Sequence, residues 1–273
     1  MNNKLDRDWN NAFENSAYIR ESKSLPDQWT RAAAQYRKKT KIDIDISYGN
    51  QDREVMDIVW PDGKVKGLAV FVHGGYWMQT DKSYWTDLAE GARAQGWAVC
   101  LPSYTLAPNA PIKMITLQIG AAISKAAKII EGPIRLAGHS AGGHLVSRMI
   151  CDDSPLKDTV LKRIQHTLSI SGIHDLRPLL HTKMNNILRL GALDAKSESA
   201  VLHMPKKNAC VTCWVGGGER PEFIRQAQLL TQMWDGLGAD ISYIQDKNHD
   251  HFSVIQGLKD KDSPITTAFI NSI

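Results

Sequence analysis

The chain has little with which to staple itself, cross a membrane or hold a polyanion. Its 273 residues include only four cysteines, Cys100, Cys151, Cys210 and Cys213. Cys210-Val211-Thr212-Cys213 has C-x-x-C spacing, but it falls in an apolar run that reads as a strand. Residues three apart on a strand point to opposite faces, so these thiols would not meet. No second cysteine pair completes a zinc site, so no metal is expected and the thiols read as buried and reduced. No run approaches the roughly 18 apolar residues of a membrane helix. The first ten residues, including Lys4, Asp6, Arg7 and Asp8, have no apolar core. No secretory signal is therefore expected, and the default location is the cytoplasm. The formal net charge is only +4 and is spread along the chain, which argues against a nucleic-acid partner. The densest basic run, Arg37-Lys38-Lys39-Thr40-Lys41, reads as a solvated helix end.

What is present suits one large α/β domain over residues 1–273. The composition, 42% hydrophobic and 23% charged, supports a real core. Residues 1–40 form an N-terminal segment. Residues 5–40 of it read as helical and amphipathic, anchored by Trp9, Phe13, Tyr18, Trp29 and Tyr36, with Pro26 suited to a first helical turn. Ile42–Ile46 alternates apolar with polar, and Glu54–Trp60 is a second strand, which suggests an antiparallel hairpin. From Gly67 the pattern changes. Gly67–Val72 is a near-continuous apolar run, as expected of a strand covered on both faces. Strands at Trp97–Leu101, Ile134–Ala137, Ile164–Ile170, Ala209–Val215 and Asp240–Gln245 alternate with helices at Asp81–Gln95, Ile112–Ile130 and Pro221–Leu237. Further helical residues follow from Phe252 and again near Thr266. Alternation of this kind predicts a mostly parallel, doubly wound, eight-stranded sheet. Residues 174–207 break the rhythm with Pro178, Asn185-Asn186, Gly191 and Pro205, and are expected to form a small cap insertion above the strand ends.

Residues Gly138-His139-Ser140-Ala141-Gly142 form a G-x-S-x-G pattern between a strand and a helix. Such a turn pushes the serine out at the top of a sheet, where a nucleophile is needed. A serine also needs a base within hydrogen-bond reach, and in an α/β-hydrolase fold the order along the chain is serine, acid, histidine. The loop after Ala209–Val215 offers Glu219 and Glu222. Glu219 is the expected acid, because Glu222 falls in the first turn of the helix that Pro221 opens, where a carboxylate favours the helix dipole. The loop after the last strand offers His249 and His251, and His251, directly before the terminal helical region, is the expected base. His139 and His144 flank the turn and need no catalytic role. His73-Gly74-Gly75-Tyr76-Trp77 follows the Gly67–Val72 strand, in the loop that supplies oxyanion donors in lipases and esterases. Gly75 and Tyr76 are the expected donors there, Gly74 permits the bend, and the N–H of Ala141 completes the hole. Trp77, Tyr76, Trp85, Tyr104 and His174 could line an aromatic pocket, with Trp77, Tyr104 and His174 as the expected substrate contacts. The alternative for Trp85 and Tyr104 is plain core packing.

These motifs resemble the kynurenine formamidase (arylformamidase) branch of the hormone-sensitive-lipase-like α/β hydrolases. The resemblance rests on His73–Trp77, Gly138–Gly142, the stretch Glu219-Arg220-Pro221-Glu222-Phe223-Ile224-Arg225-Gln226, Asp250-His251-Phe252, Tyr48-Gly49 and Ser171–Leu176. It covers most of the chain from about residue 40. Two departures stand out: Tyr76 where many lipase relatives carry a third glycine, and Glu219 where members of the branch often carry aspartate. The resemblance implies a hydrolase that cleaves N-formyl-L-kynurenine to L-kynurenine and formate with a Ser-His-Glu triad. It implies a small aromatic substrate as partner and needs no metal or organic cofactor. Three other readings remain open: a carboxylesterase for small aryl or alkyl esters, an amidase or deacetylase for another small N-acyl substrate, and an inactive hydrolase fold used for binding. Only the base rate for soluble enzymes bears on oligomeric state, and it favours a homodimer.

Overall fold

The computed structural model describes residues 7–271. The expected helicity of residues 5 and 6 lies outside them. Eight strands form one sheet: β1 Ile42–Ser47, β2 Val55–Val59, β3 Leu68–Val72, β4 Ala98–Pro102, β5 Ile134–His139, β6 Ile164–Ile170, β7 Cys210–Gly216 and β8 Asp240–Asp246. Their order is β1-β2-β4-β3-β5-β6-β7-β8. β1 pairs antiparallel with β2, β2 pairs antiparallel with β4, and the pairs from β4 to β8 are parallel. The alternating IDIDIS of β1 makes a half-exposed edge, whereas every residue of the central LAVFV strand β3 is buried. The burial patterns follow from apolar content: a strand covered on both faces must be apolar on both.

Two apolar layers cover the sheet. One holds helices Ile112–Ile129, Ala141–Arg148 and Pro221–Asp235, together with Leu176, Leu179, Leu188 and Ala195 from the β6–β7 connection. The other holds Trp85, Leu88, Trp97, Ile265 and Phe269. All eight residues of helix Ala141–Arg148 are buried, so the turn that starts it is clamped from all sides.

Three local expectations differ from the structure. Asp81–Gln95 is not one helix but two short 3-10 turns followed by a helix at Glu90–Ala94. The Asp81 carboxylate accepts from both the N–H and the hydroxyl of Ser83, and Trp85 adopts φ −125°, ψ 8°. Local side-chain bonds of this kind compete with helix propagation. Residues after Phe252 form turns and a 3-10 stretch at Gln256–Lys259 before helix Pro264–Ile270. The Asp250 carboxylate there takes the N–H groups of Phe252 and Ser253. The N-terminal segment is broken between helices Trp9–Phe13 and Leu25–Arg37. Ser22 and Ser24 donate to backbone carbonyls, and Glu21 is left-handed at φ 59°.

Residues 174–207 contain short helical pieces as expected; their apolar residues pack onto the helical layer, while Lys183 and Met184 reach the wall of a cavity beside Tyr76. The His144 ring donates to the carbonyl of Glu198 at 2.7 Å, and Thr116 donates to its carboxylate, also at 2.7 Å. The cover above the strand ends comes from the N-terminal segment.

Candidate active site

Ser140 sits between β5 and the helix Ala141–Arg148 with φ 56° and ψ −116°. A non-glycine residue with this backbone is strained, and the surroundings must hold it there. Its N–H donates to the carbonyl of Ile170 on β6 at 2.8 Å. The flanking glycines are forced by contact. A Cβ on Gly138 would lie 2.1 Å from the carbonyl oxygen of Gly142, and one on Gly142 would lie 2.0 Å from that of Val72 on β3. No side chain fits at either position.

The acid and base loops meet beside this turn. Glu219 follows β7, and its Oε2 lies 2.6 Å from Nδ1 of His251, with both side chains buried. The other oxygen, Oε1, accepts the N–H of Gly216 at 2.8 Å and the hydroxyl of Ser171. With both carboxylate oxygens engaged, the side chain has one available pose. A carboxylate can only accept here, so Nδ1 carries the proton and Nε2 of His251 is left with a lone pair. The His251 ring packs 4.5 Å from Phe223 and 4.6 Å from His139. His139 Nε2 donates to the backbone carbonyl of His251 at 2.8 Å. Burial and the neighbouring His251 hold the His139 pKa well below the usual range, so its ring is neutral.

Glu222, three residues on, is fully buried in a different network. It pairs with Arg225 at 2.6 Å and Arg7 at 3.0 Å, and accepts from Gln226 at 2.9 Å. His249 is half-exposed, 3.8 Å from Asp246. The geometry therefore brings Glu219, not Glu222, to His251.

The loop after β3 turns sharply. Gly75, Tyr76 and Trp77 have φ of +99°, 51° and 58°. A Cβ on Gly74 would lie 3.0 Å from Cβ of Ser140, so the loop passes directly over Ser140. Among the described residues, the N–H groups of Gly75, Tyr76 and Ala141 take no backbone or side-chain acceptor. The loop is braced from below. His73 donates to the carbonyl of Gly74 at 2.8 Å and stacks on Tyr104 at 4.3 Å. The Tyr104 hydroxyl donates to the carbonyl of His73 at 3.1 Å.

Ser140 and His251 open into one cavity of about 150 Å³, with Gly74, Gly75 and Tyr76 on its wall. Among the described residues, the Ser140 hydroxyl makes no hydrogen bond to His251 in this resting state. Trp29, Trp85 and Phe252 form the aromatic side of the cavity, and Ser16, Ser22 and Pro26 its roof. Trp29 packs on Trp85 at 4.6 Å and on Phe252 at 5.4 Å.

Trp77, Tyr104 and His174 lie elsewhere. Each is fully buried. Trp77 packs edge-on to His144, Tyr104 braces the loop from below, and His174 meets the Ser169 hydroxyl at 3.1 Å. The positive φ of Trp77 turns its ring into the core. Trp29, Phe252 and Ser171, which the sequence does not assign to the site, reach it through tertiary contacts. Only the aromatic spacing of the N-terminal segment hinted at Trp29.

Comparison with known proteins agrees with the fold. The family model described as the alpha/beta hydrolase fold matches residues 69–253. A kynurenine formamidase from Danio rerio is 27% identical over 87% of this chain and 84% of its own length. One from Drosophila melanogaster is 22% identical over 96% and 94%. A crystal structure described as a candidate thioesterase from Silicibacter sp. TM1040 superposes with a TM-score of 0.91 at 44% identity, covering 96% of this chain and 98% of that one. Esterase B from Lactobacillus rhamnosis superposes at 0.66 with 15% identity over 89% and 90%, a likeness of fold. The chain is a member of the α/β-hydrolase family and is similar, within it, to the kynurenine formamidases.

Proposed function

We propose that the chain is a serine hydrolase of small N-acyl arylamides, with N-formyl-L-kynurenine as substrate and L-kynurenine and formate as products. The observation that carries this reading is the buried 2.6 Å contact between Glu219 and His251 beside Ser140, at one cavity. Nε2 of His251 takes the Ser140 proton as Oγ bonds to the formyl carbon. Glu219 stabilises the imidazolium that results. The oxyanion meets the N–H groups of Gly75, Tyr76 and Ala141, donors of a kind worth roughly 3–4 kcal/mol in a transition state. His251 then gives its proton to the arylamine nitrogen as the C–N bond breaks. Water, deprotonated by His251, attacks the formyl-enzyme and releases formate. The bond from Ser140 to His251 has to form as substrate enters, a tightening common in such sites. The aromatic wall of Trp29, Trp85 and Phe252 suits an aryl leaving group.

The curated relatives are named kynurenine formamidase, and this supports the formamide reading. The 44%-identical structure described as a candidate thioesterase favours a second one, hydrolysis of a small acyl thioester. Specificity constants for N-formylkynurenine, p-nitrophenyl acetate and acetyl thioesters separate them. We expect N-formylkynurenine to lead, and Ser140→Ala to lower its kcat by about 10⁴-fold or more. A clear preference for the ester or thioester overturns the formamide assignment.

A further inference from the structure

A second cavity, of about 530 Å³, adjoins the first. The two share Ser16, Tyr76 and Gln79 on their walls, so they lie on either side of the Tyr76 side chain. The second cavity differs from the first in chemistry. Where the reaction cavity is walled by Trp29, Trp85 and Phe252, this one carries Glu14, Asn15 and Lys183, with Met78 and Met184 between them. Among the described residues, Lys183 makes no ion pair. Its backbone N–H donates to the Asn10 side chain at 2.7 Å, which fixes the chain while leaving the ammonium for other partners. Glu14 spends one carboxylate oxygen on the N–H of Ala17 at 3.2 Å and has no cation among the described residues. The Asn15 side chain is 4% exposed and lies beside the Tyr76 hydroxyl, so it belongs to the wall between the two cavities.

We propose that this second cavity is a headgroup subsite for the α-amino-acid end of the leaving group, with Lys183 meeting the carboxylate and Glu14 meeting the ammonium. This deepens the formamidase reading and rests on it. The arylamine ring lies on the aromatic wall, and its amino-acid tail passes Tyr76 into the charged cavity. The subsite selects an arylamide with a zwitterionic tail over a bare formanilide.

The test is equilibrium binding to the full-length protein, which needs no turnover. The probes are L-kynurenine, its decarboxylated amine (kynuramine), and the analogue lacking only the α-amino group. Wild type should bind L-kynurenine most tightly. Lys183→Gln should weaken L-kynurenine and the deaminated analogue by about fivefold and not kynuramine. Glu14→Gln should weaken L-kynurenine and kynuramine by a similar factor and not the deaminated analogue. Equal affinities of the three probes for wild type, or equal losses for all three in a variant, overturn the subsite. Failure of the formamidase reading shows separately, as absence of N-formylkynurenine turnover in wild type. If that turnover is present while the variants leave the three affinities in their wild-type ratio, the subsite alone falls.

Discussion

The two sides of the reaction cavity are held by different physics. On the sheet side, Ser140, Glu219 and His251 sit on loops fixed by backbone. The Ile170 carbonyl, the Gly216 N–H and two glycines with no room for a Cβ determine where each group lies. On the roof side, residues 9–37 are short helices and 3-10 turns attached by side chains. The Tyr76 hydroxyl donates to the carbonyl of Phe13, Arg220 stacks on Tyr18 at 3.7 Å and bonds Asn11, and Arg7 reaches Glu222. Backbone contacts to a buried sheet open only with the whole domain, whereas exposed side-chain latches can open one at a time. On the proposed function, the sheet side suits fixed chemistry and the roof suits the admission of substrate.

Substitutions test that division. The largest effect is expected from Glu219→Gln, which keeps the shape but removes the charge facing His251. Its kcat should fall by about 10³- to 10⁴-fold with little change in melting temperature. A drop under tenfold would remove Glu219 from the mechanism.

Acid should act through the sheet side on the stability of the whole domain. Burial lowers His73 and His166 to about 4 and His144 and His174 to about 3, from 6.5. All four lie outside the roof segment, which has no histidine. Between pH 6.5 and about 4 these rings are neutral when folded and protonated when unfolded. The unfolded state then binds more protons, so stability is fully present above pH 6.5 and falls as pH drops toward 4. The slope is about 1.4 kcal/mol per pH unit for each ring. Denaturant melts at pH 7, 6, 5 and 4.5 should show this decline, and a flat profile would contradict it.

Glu222→Gln should do the reverse of Glu219→Gln. It leaves Arg7 and Arg225 without their buried anion, costing about 1–3 kcal/mol of stability, while kcat for the intact fold stays close to wild type. A loss of kcat comparable to that of Glu219→Gln would mean that the two carboxylates share a role. The smallest effect belongs to Arg220→Ala, which removes one roof latch worth about 0.5–1 kcal/mol. It should change KM a few-fold and leave the melting temperature nearly unmoved. A large drop in melting temperature would make the roof part of the core.

How far the sequence could be read follows the same division. β3 was legible because LAVFV is apolar without a break, and the turn at Ser140 because a strand, two glycines and a helix stand in order. The choice between Glu219 and Glu222 could be argued from Pro221, which marks where the loop ends. Trp77, Tyr104 and His174 could not be placed, since loop position does not tell which way a side chain faces. In Trp77 a positive φ decided it. The roof was illegible because its latches join residues such as Tyr18 and Arg220, far apart in sequence and with no local pattern. Pro178, Asn185-Asn186, Gly191 and Pro205 mark 174–207 as an insertion but not where it packs, which Leu176, Leu179 and Leu188 decide by burying against the helices.

The ring of His139 spans a gap between the strand that delivers the serine and a loop 112 residues later. It works as a spacer of fixed length. An engineer who wished to lengthen or reshape the C-terminal loop could do so beyond residue 252 and still find the imidazole of His251 at its proper station, provided the strut at 139 was left alone.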